Sequence, residues 1–554
     1  MKKRICIVLC LLTLLGFLLV MVQEKWHPFQ VEPLAGASFT TEKPELNYHN
    51  FVSGRYQTDI EQYSRENFGF REWAIRLYNQ YLYSAYNSTT CHFIVTGKDG
   101  FLFYTEAFND HFGAESPHFF DTYDEAREWA QKDVRMMNKL RYVLQDYGIE
   151  FLCFMAPNKA EIYPEYLPYH TPRPADAIHT AAYYDSLLTD IGFPHVEMTP
   201  WYAAMKDTAS FLLFPKRDSH WRYSAVYGYD SLFCYMDSLN RFGIPDIRVN
   251  GLIPLDTAYP ENDEKTLNLI WPIRNDSPKC QPDITVDCGE GCRKPKVLFV
   301  GDSFIWDLET YLPWREILED VEIWFYNKSA FLGFEKEKHP LNEIDRLQSI
   351  LKADYVVWYS SGYQWSQATY GFVQDALLRL CVSDSLFEAQ IPWVMDSLRQ
   401  NGVCEDSLQA RAVRLLKNDP ELIPGLKGEA MPSIRNTQAI QRAQLANAID
   451  GDKPWQTALK VVASQTGRSY QDVLREEVDN LAAGRDLLRN AVVVDTATLI
   501  ELEVQKIMNQ WRNNPESVQF LEQKARDNGK DFETVLEEDA RWIVDERLRN
   551  GELF

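Results

Sequence analysis

The chain has 554 residues, more than one ordinary domain holds, and 45% of them are hydrophobic, enough for sizeable cores. Its formal net charge is −23 and its sequence pI is near 5.0. That balance argues against a nucleic-acid partner, because phosphate backbones are bound by basic patches.

At the N-terminus, residues 5–22 form an apolar run broken only by Thr13 and Gly16. As a helix this run spans about 27 Å, close to the thickness of a bilayer core. Lys2, Lys3 and Arg4 precede it. By the positive-inside rule the N-terminus stays cytoplasmic and the rest crosses. Residues 1–22 are therefore expected to be a single-pass inner-membrane anchor, with the remainder extracytoplasmic (periplasmic). A cleaved signal peptide is the alternative, but the run ends in Val20-Met21-Val22-Gln23-Glu24, without the small residues a signal peptidase prefers. Residues 23–50, with Pro28, Pro33 and Pro44 and little periodicity, read as a tether.

Residues 51–90 place aromatic and aliphatic side chains at helical spacing, and 93–104 read as a β-hairpin turning at Lys98-Asp99-Gly100. Beyond the hairpin the pattern becomes α/β. A long amphipathic helix is expected over 122–147, a buried strand over 150–156 and a helix over 183–191. Further strands are expected over 296–300, 321–326 and 354–359, the last two separated by a helical stretch at 340–352. Strands alternating with helices predict a parallel sheet with covered faces and a ligand site at the strands' carboxyl ends.

Of the ten cysteines, Cys280, Cys288 and Cys292 cluster in a polar stretch. A disulfide suits an exported chain; the spacing also allows a metal site, although no histidine lies nearby. No metal and no cofactor is expected. Beyond residue 375 the chain turns helical and charged. The segment beginning at Trp455 aligns with that beginning at Ser517, an offset of 62 residues, and a weaker copy begins at Trp393. Residues 376–554 thus read as an all-α domain of about three 62-residue repeats. The expected role of such units is structure or docking, since each buries its apolar stripe against its neighbours.

The chemistry is concentrated in two short segments. In Val297-Leu298-Phe299-Val300-Gly301-Asp302-Ser303-Phe304, a strand runs into a helix start, so Ser303 lies at the sheet's carboxyl edge. Its backbone N–H and the helix dipole can there stabilise an oxyanion. A plain helix cap would use the same residues. A nucleophilic serine needs a base, and the base needs an orienting acid. Asp218-Ser219-His220-Trp221 supplies both, with Asp218 two residues before His220. No other histidine has comparable neighbours.

Together these segments resemble the SGNH-hydrolase-like enzymes of the alginate O-acetyltransferase type, the AlgX/AlgJ-like or DHHW group. The hairpin Gly97-Lys98-Asp99-Gly100-Phe101-Leu102 and Ala156-Pro157-Asn158-Lys159 add to the likeness, which covers residues 51–375. The Asp-x-His segment precedes the serine, the permuted order of that group. The resemblance implies a flavodoxin-like α/β domain and a Ser303–His220–Asp218 triad. It further implies acetyl transfer to a polysaccharide hydroxyl, with a membrane-bound O-acyltransferase as acetyl source. Two departures stand out. Ser219 occupies the place of the group's second histidine, and the oxyanion segments match poorly. By position, Asn327 and Ser361-Gly362-Tyr363 follow neighbouring strands and are candidate oxyanion or substrate residues, or plain turn residues. A carbohydrate acetylesterase and a non-catalytic envelope scaffold are the alternative readings.

Overall fold

The computed structural model describes residues 2–36, 41–112, 123–168, 179–258, 263–271, 273, 278–363, 369–485, 488 and 496–549. The chain divides into two compact units. The first comprises Met1–Gln145, Glu150–Leu341 and Asp354–Val373; the second comprises Asp146–Ile149, Asn342–Ala353 and Gln374–Phe554.

The first unit opens with α1 (Lys2–Trp26), four residues longer at its C-terminal end than the apolar run expected. Its segment Ile7–Trp26 is long and apolar enough to cross a membrane. The stretch after α1 is fastened rather than loose. The Gln23 side chain accepts from the Phe29 N–H at 3.1 Å and donates to the Phe29 carbonyl at 2.8 Å. Arg76 donates to the carbonyls of Glu32 and Pro33, and Asn268 exchanges hydrogen bonds with both backbone groups of Ala35. Residues 37–40 of the expected tether lie outside the described residues. Three helices come next: α2 (Tyr48–Val52), α3 (Arg55–Asn67) and α4 (Arg71–Tyr86).

The hairpin forms where expected, β1 (Ile94–Thr96) pairing antiparallel with β2 (Leu102–Tyr104). Asp99 and Gly100 both take positive φ to close the turn. The central sheet contains β3 (Glu150–Ala156), β4 (His195–Glu197), β7 (Lys296–Gly301), β8 (Asp320–Phe325), β9 (Ser329–Leu332), β10 (Glu337–Pro340) and β11 (Tyr355–Ser361), in the order β10-β9-β8-β7-β11-β3-β4. Strands β8, β7, β11, β3 and β4 are mutually parallel. The expected parallel sheet is present, with an antiparallel extension at one edge. The chain meanders back after β8, and β9 and β10 add two antiparallel strands at that edge. Residues 337–340 are the outermost strand, although the sequence suggests a helix beginning at Pro340. A separate hairpin, β5 (Asp246–Ala258) with β6 (Pro278–Asp287), was also unforeseen. Cys288 and Cys292 form a disulfide, whereas Cys280 is a free buried thiol on β6.

Burial explains the central strands. Every residue of β11 is buried, as are all but Glu150 of β3 and all but Lys296 of β7. Faces covered on both sides demand continuous apolar runs rather than alternation. Phe154, Phe299, Val357 and Tyr359 join Trp221, Tyr229 and Phe304 in one core.

The second unit is helical. The helices Thr437–Gly451, Lys453–Thr466 and Tyr470–Ala482 bury Leu459, Ala463, Val473, Leu474 and Val478 together. The helices Thr496–Arg512, Pro515–Asn528 and Phe532–Arg549 bury Leu521, Ala525, Val535, Leu536 and Ala540, each 62 residues later. In the segment around Trp393 the pattern differs. Pro392 falls inside the single helix Asp384–Gln400 instead of at a helix start.

Candidate active site

Three parallel strands end side by side, and the residues after them build the site. β7 runs into Asp302-Ser303, β8 into Tyr326-Asn327, and β11 into Gly362-Tyr363. Gly301 is required by the sheet itself, because a Cβ there would overlap the Tyr359 carbonyl on β11. Asp302 then caps the short turn Ser303–Ile305, accepting from the Phe304 N–H at 3.0 Å. Its other carboxylate oxygen accepts from the Ser361 N–H at 2.7 Å and the Ser361 hydroxyl at 2.8 Å. Burial raises the Asp302 pKa, and these bonds oppose the rise.

The segment 215–224 brings the partner groups in from a remote part of the chain. His220 Nε2 lies 2.8 Å from Ser303 Oγ. On the far side of the ring, Nδ1 faces Asp218 Oδ1 at 3.3 Å, and the same oxygen accepts from the His220 N–H at 3.0 Å. Arg222 donates from Nε to Asp218 Oδ2 at 2.7 Å. Its backbone N–H and Nη1 reach Asp307, at 3.0 and 3.3 Å, on the helix Trp306–Tyr311 just beyond Ser303. Arg222 adopts φ 50°, an uncommon value for a non-glycine residue. One guanidinium thus ties the histidine segment to the helix next to the serine.

Electrostatics derive from these contacts. Burial raises the Asp218 carboxyl, but the His220 hydrogen bond and the Arg222 charge more than reverse it, so its pKa ends below the ordinary value. Burial lowers the His220 imidazole, and the bond to Asp218 with its charge outweighs that, so its pKa ends above 6.5. Ser219, in the place of the second histidine, donates its N–H to Asp263 at 2.6 Å. Trp221 is fully buried and packs on Phe154, Tyr202 and Phe304, which plugs the segment into the core. From below, the buried Lys159 donates to the carbonyls of Leu102, Pro215, Lys216 and Asp218, all between 2.7 and 2.9 Å.

The structure thus gathers Ser303, His220 and Asp218. The three residues expected as further donors are directed elsewhere. The Gly362 N–H donates to the Ala156 carbonyl at 3.0 Å, so it serves strand pairing. Asn327 Nδ2 donates to the Tyr370 carbonyl at 2.9 Å. Tyr363 packs edge-on against Phe304 at 6.3 Å, and burial holds its hydroxyl's pKa well above the ordinary value. Tyr326 lies close enough that the side chain and the backbone of Ser303 both lower its hydroxyl's pKa, against the larger effect of burial. Tyr326 and Asn327 take φ of 50° and 51°, which turns the chain sharply at the end of β8. Burial pushes the Tyr326 hydroxyl up to about 12, so it remains a neutral donor. Outside this site, His111 and His179 flank Glu161, with Nδ1 to Oε1 distances of 2.7 and 2.9 Å.

Fold and motifs together define an SGNH hydrolase-like domain. Residues 94–228 match the family model of the SGNH hydrolase-like domain of the acetyltransferase AlgX. The match takes in the β1–β2 hairpin, Asn158, Lys159, Asp218 and His220, and stops short of Ser303. Among solved structures, the chain is similar to the O-acetyltransferase domain of Pseudomonas putida AlgJ, with 16% identity and a TM-score of 0.33, over 50% of this chain and 98% of that one. It is similar to Pseudomonas aeruginosa AlgX at 13% identity and a TM-score of 0.34, over 52% and 67% of the two chains. Bacillus cereus PatB1 with a sulfonyl adduct gives 12% identity and a TM-score of 0.32, over 50% and 99%. No curated protein matches the chain.

Proposed function

We propose that this protein is an exported serine-dependent O-acetyltransferase, anchored in the inner membrane by α1, that acetylates hydroxyls of a cell-envelope or secreted polysaccharide. The observation that carries the reading is the Ser303–His220–Asp218 relay, with 2.8 Å between His220 Nε2 and Ser303 Oγ, set beside an AlgX-type acetyltransferase match.

In the first step His220 removes the Ser303 proton, and Oγ attacks the carbonyl carbon of an acetyl donor. The negative charge that develops on the carbonyl oxygen is met by the Ser303 N–H and the Tyr326 hydroxyl. Collapse of the tetrahedral intermediate releases the donor's alcohol or thiol, which takes the proton from His220, and leaves acetyl-Ser303. In the second step His220 removes a proton from the glycan hydroxyl, which attacks the acetyl-serine. Ser303 recovers its proton and the sugar ester departs. Asp218 stabilises the imidazolium in both steps. A membrane-bound O-acyltransferase is the proposed acetyl source, and the helical second unit is proposed to dock partners.

Full-length protein in detergent, given an aryl acetate with and without an oligosaccharide acceptor, tests the reading. Expected are an acetyl mass increment on Ser303, ester transfer to the sugar, and loss of about 10³-fold or more in rate for Ser303→Ala. Unchanged turnover in Ser303→Ala would overturn the nucleophile assignment. Acetate release with no sugar ester in any acceptor would leave an esterase instead.

A further inference from the structure

We propose that the uncharged face of α4 lies in the interfacial layer of the lipid bilayer, beside the point where α1 leaves it. The inference rests on the reading of α1 as a membrane span.

A helix on a water-facing surface normally presents charged residues outward. α3 does so: its exposed positions include Arg55, Glu61 and Arg65. α4, next in the chain, does not. Its exposed positions hold Trp73, Leu77, Tyr78 and Tyr81, at 49%, 55%, 57% and 55% exposure, and otherwise only alanine, serine and Tyr86. Trp73, Leu77 and Tyr81 recur about once per turn and form one stripe. The helix's charged residues, Arg71, Glu72 and Arg76, all sit at half-buried positions, and Arg76 is engaged by the Glu32 and Pro33 carbonyls. A contiguous apolar face of this kind marks an interaction surface.

Position identifies the occupant. Gly69, two residues before α4, is pressed against α1: a Cβ there would overlap the Val20 carbonyl and lie 2.8 Å from the Glu24 N. Val20 belongs to the apolar segment of α1. The chain entering α4 therefore reaches back to the level of the hydrophobic run. Phe70 continues the contact, its ring 5.7 Å from Phe29 and 6.1 Å from Trp73. A stripe of Trp, Leu and Tyr that starts at the membrane exit of a spanning helix has the composition of an interfacial belt, where amphipathic rings meet headgroups. The fastening of residues 23–35 to α4 and Asn268 holds this face in place instead of letting it swing on a free linker.

Photocrosslinking tests the proposal. The full-length chain is reconstituted alone in vesicles of phosphatidylethanolamine with a minority of phosphatidylglycerol, with p-benzoylphenylalanine placed at Trp73, Tyr81, Leu14 or Ile253. Leu14 reports on α1; Ile253, exposed on β5, is the water-facing control. Lipid adducts are expected at Leu14, Trp73 and Tyr81 and not at Ile253. Adducts at Leu14 with none above the Ile253 background at Trp73 and Tyr81 would overturn the inference and leave the anchor standing. No adduct at Leu14 would remove the anchor reading itself, and the inference with it. In native membranes, a protein adduct at Tyr81 in place of lipid would also overturn it. The paired change Trp73→Glu with Tyr81→Glu is expected to abolish binding of the α4 face to lipid, read by loss of adducts at Leu77, while ester cleavage in detergent stays unchanged.

Discussion

Ser361 places its backbone N–H and its hydroxyl on the same carboxylate oxygen of Asp302, the residue just before Ser303. The other oxygen caps the serine's own turn. Asp302 therefore couples the end of β11 to the nucleophile's backbone. Asp302→Ala leaves buried donors without an acceptor, which costs about 1–3 kcal/mol each in comparable cases. The expected outcome is a lower melting temperature together with a fall in kcat larger than the change in KM. Circular dichroism melts and aryl-acetate kinetics check both.

Asp218→Asn removes the charge that holds His220 above 6.5. A base works in its deprotonated form, so wild-type activity should fall as pH drops through a value above 6.5. In the variant only the Asp307 charge still opposes burial, so the acid limb should move to lower pH. The rate plateau should fall by about 10²–10⁴-fold, because the imidazolium loses its partner. A pH–rate profile measures both effects. A limb that stays in place would show that Asp218 does not set the His220 ionisation.

Tyr326→Phe deletes one hydroxyl from the candidate oxyanion site and leaves the ring packed on Tyr370. Loss of one such donor typically reduces kcat by about 10²–10³-fold in other enzymes. KM should change little, because the bond strengthens as charge develops. A rate within about twofold of wild type would assign Tyr326 to packing, since an oxyanion donor contributes far more than that.

Asp133, inside the helix Tyr123–Gln145, is fully buried, and burial raises its pKa from 3.8 to about 7. Between those values the folded state keeps a proton that the unfolded state has lost, so this group's contribution to stability declines as pH rises from about 4 to about 7. Asp133→Asn should accordingly be neutral near pH 4 and stabilising by about 1–3 kcal/mol at about pH 8. Urea melts at the two pH values provide the comparison; a gain independent of pH would disprove the ionisation argument.

What the sequence revealed, and what it hid, has a physical pattern. Strands β3, β7, β8 and β11 were legible because burial writes dense apolar runs, continuous where both faces are covered. β10 was not, because its residues Glu337, Lys338, His339 and Pro340 lie at a largely exposed edge and read as polar filler. β5 and β6 carry Pro254 and Pro282 within their pairing, and prolines inside a run argue against a strand. In the site, Ser303, His220 and Asp218 stood out because each lies in a short motif. Tyr326 reads in the sequence as the last residue of an aromatic strand, whereas its backbone has left the strand for the left-handed region. Lys159 was visible as part of a motif, but its four carbonyl partners come from two distant segments. Arg222 likewise joins Asp218 to Asp307, which lies 85 residues beyond the arginine.

Gly301 has a bearing on how relatives of this chain are to be judged. The sheet dictates that glycine through the Tyr359 carbonyl, and Ser361 and Phe304 dictate Asp302. Most of the Gly-Asp-Ser signature is thus an architectural requirement that a catalytically dead descendant would retain. The diagnostic positions are those the scaffold leaves free to drift: the hydroxyl of Ser303 and the imidazole of His220.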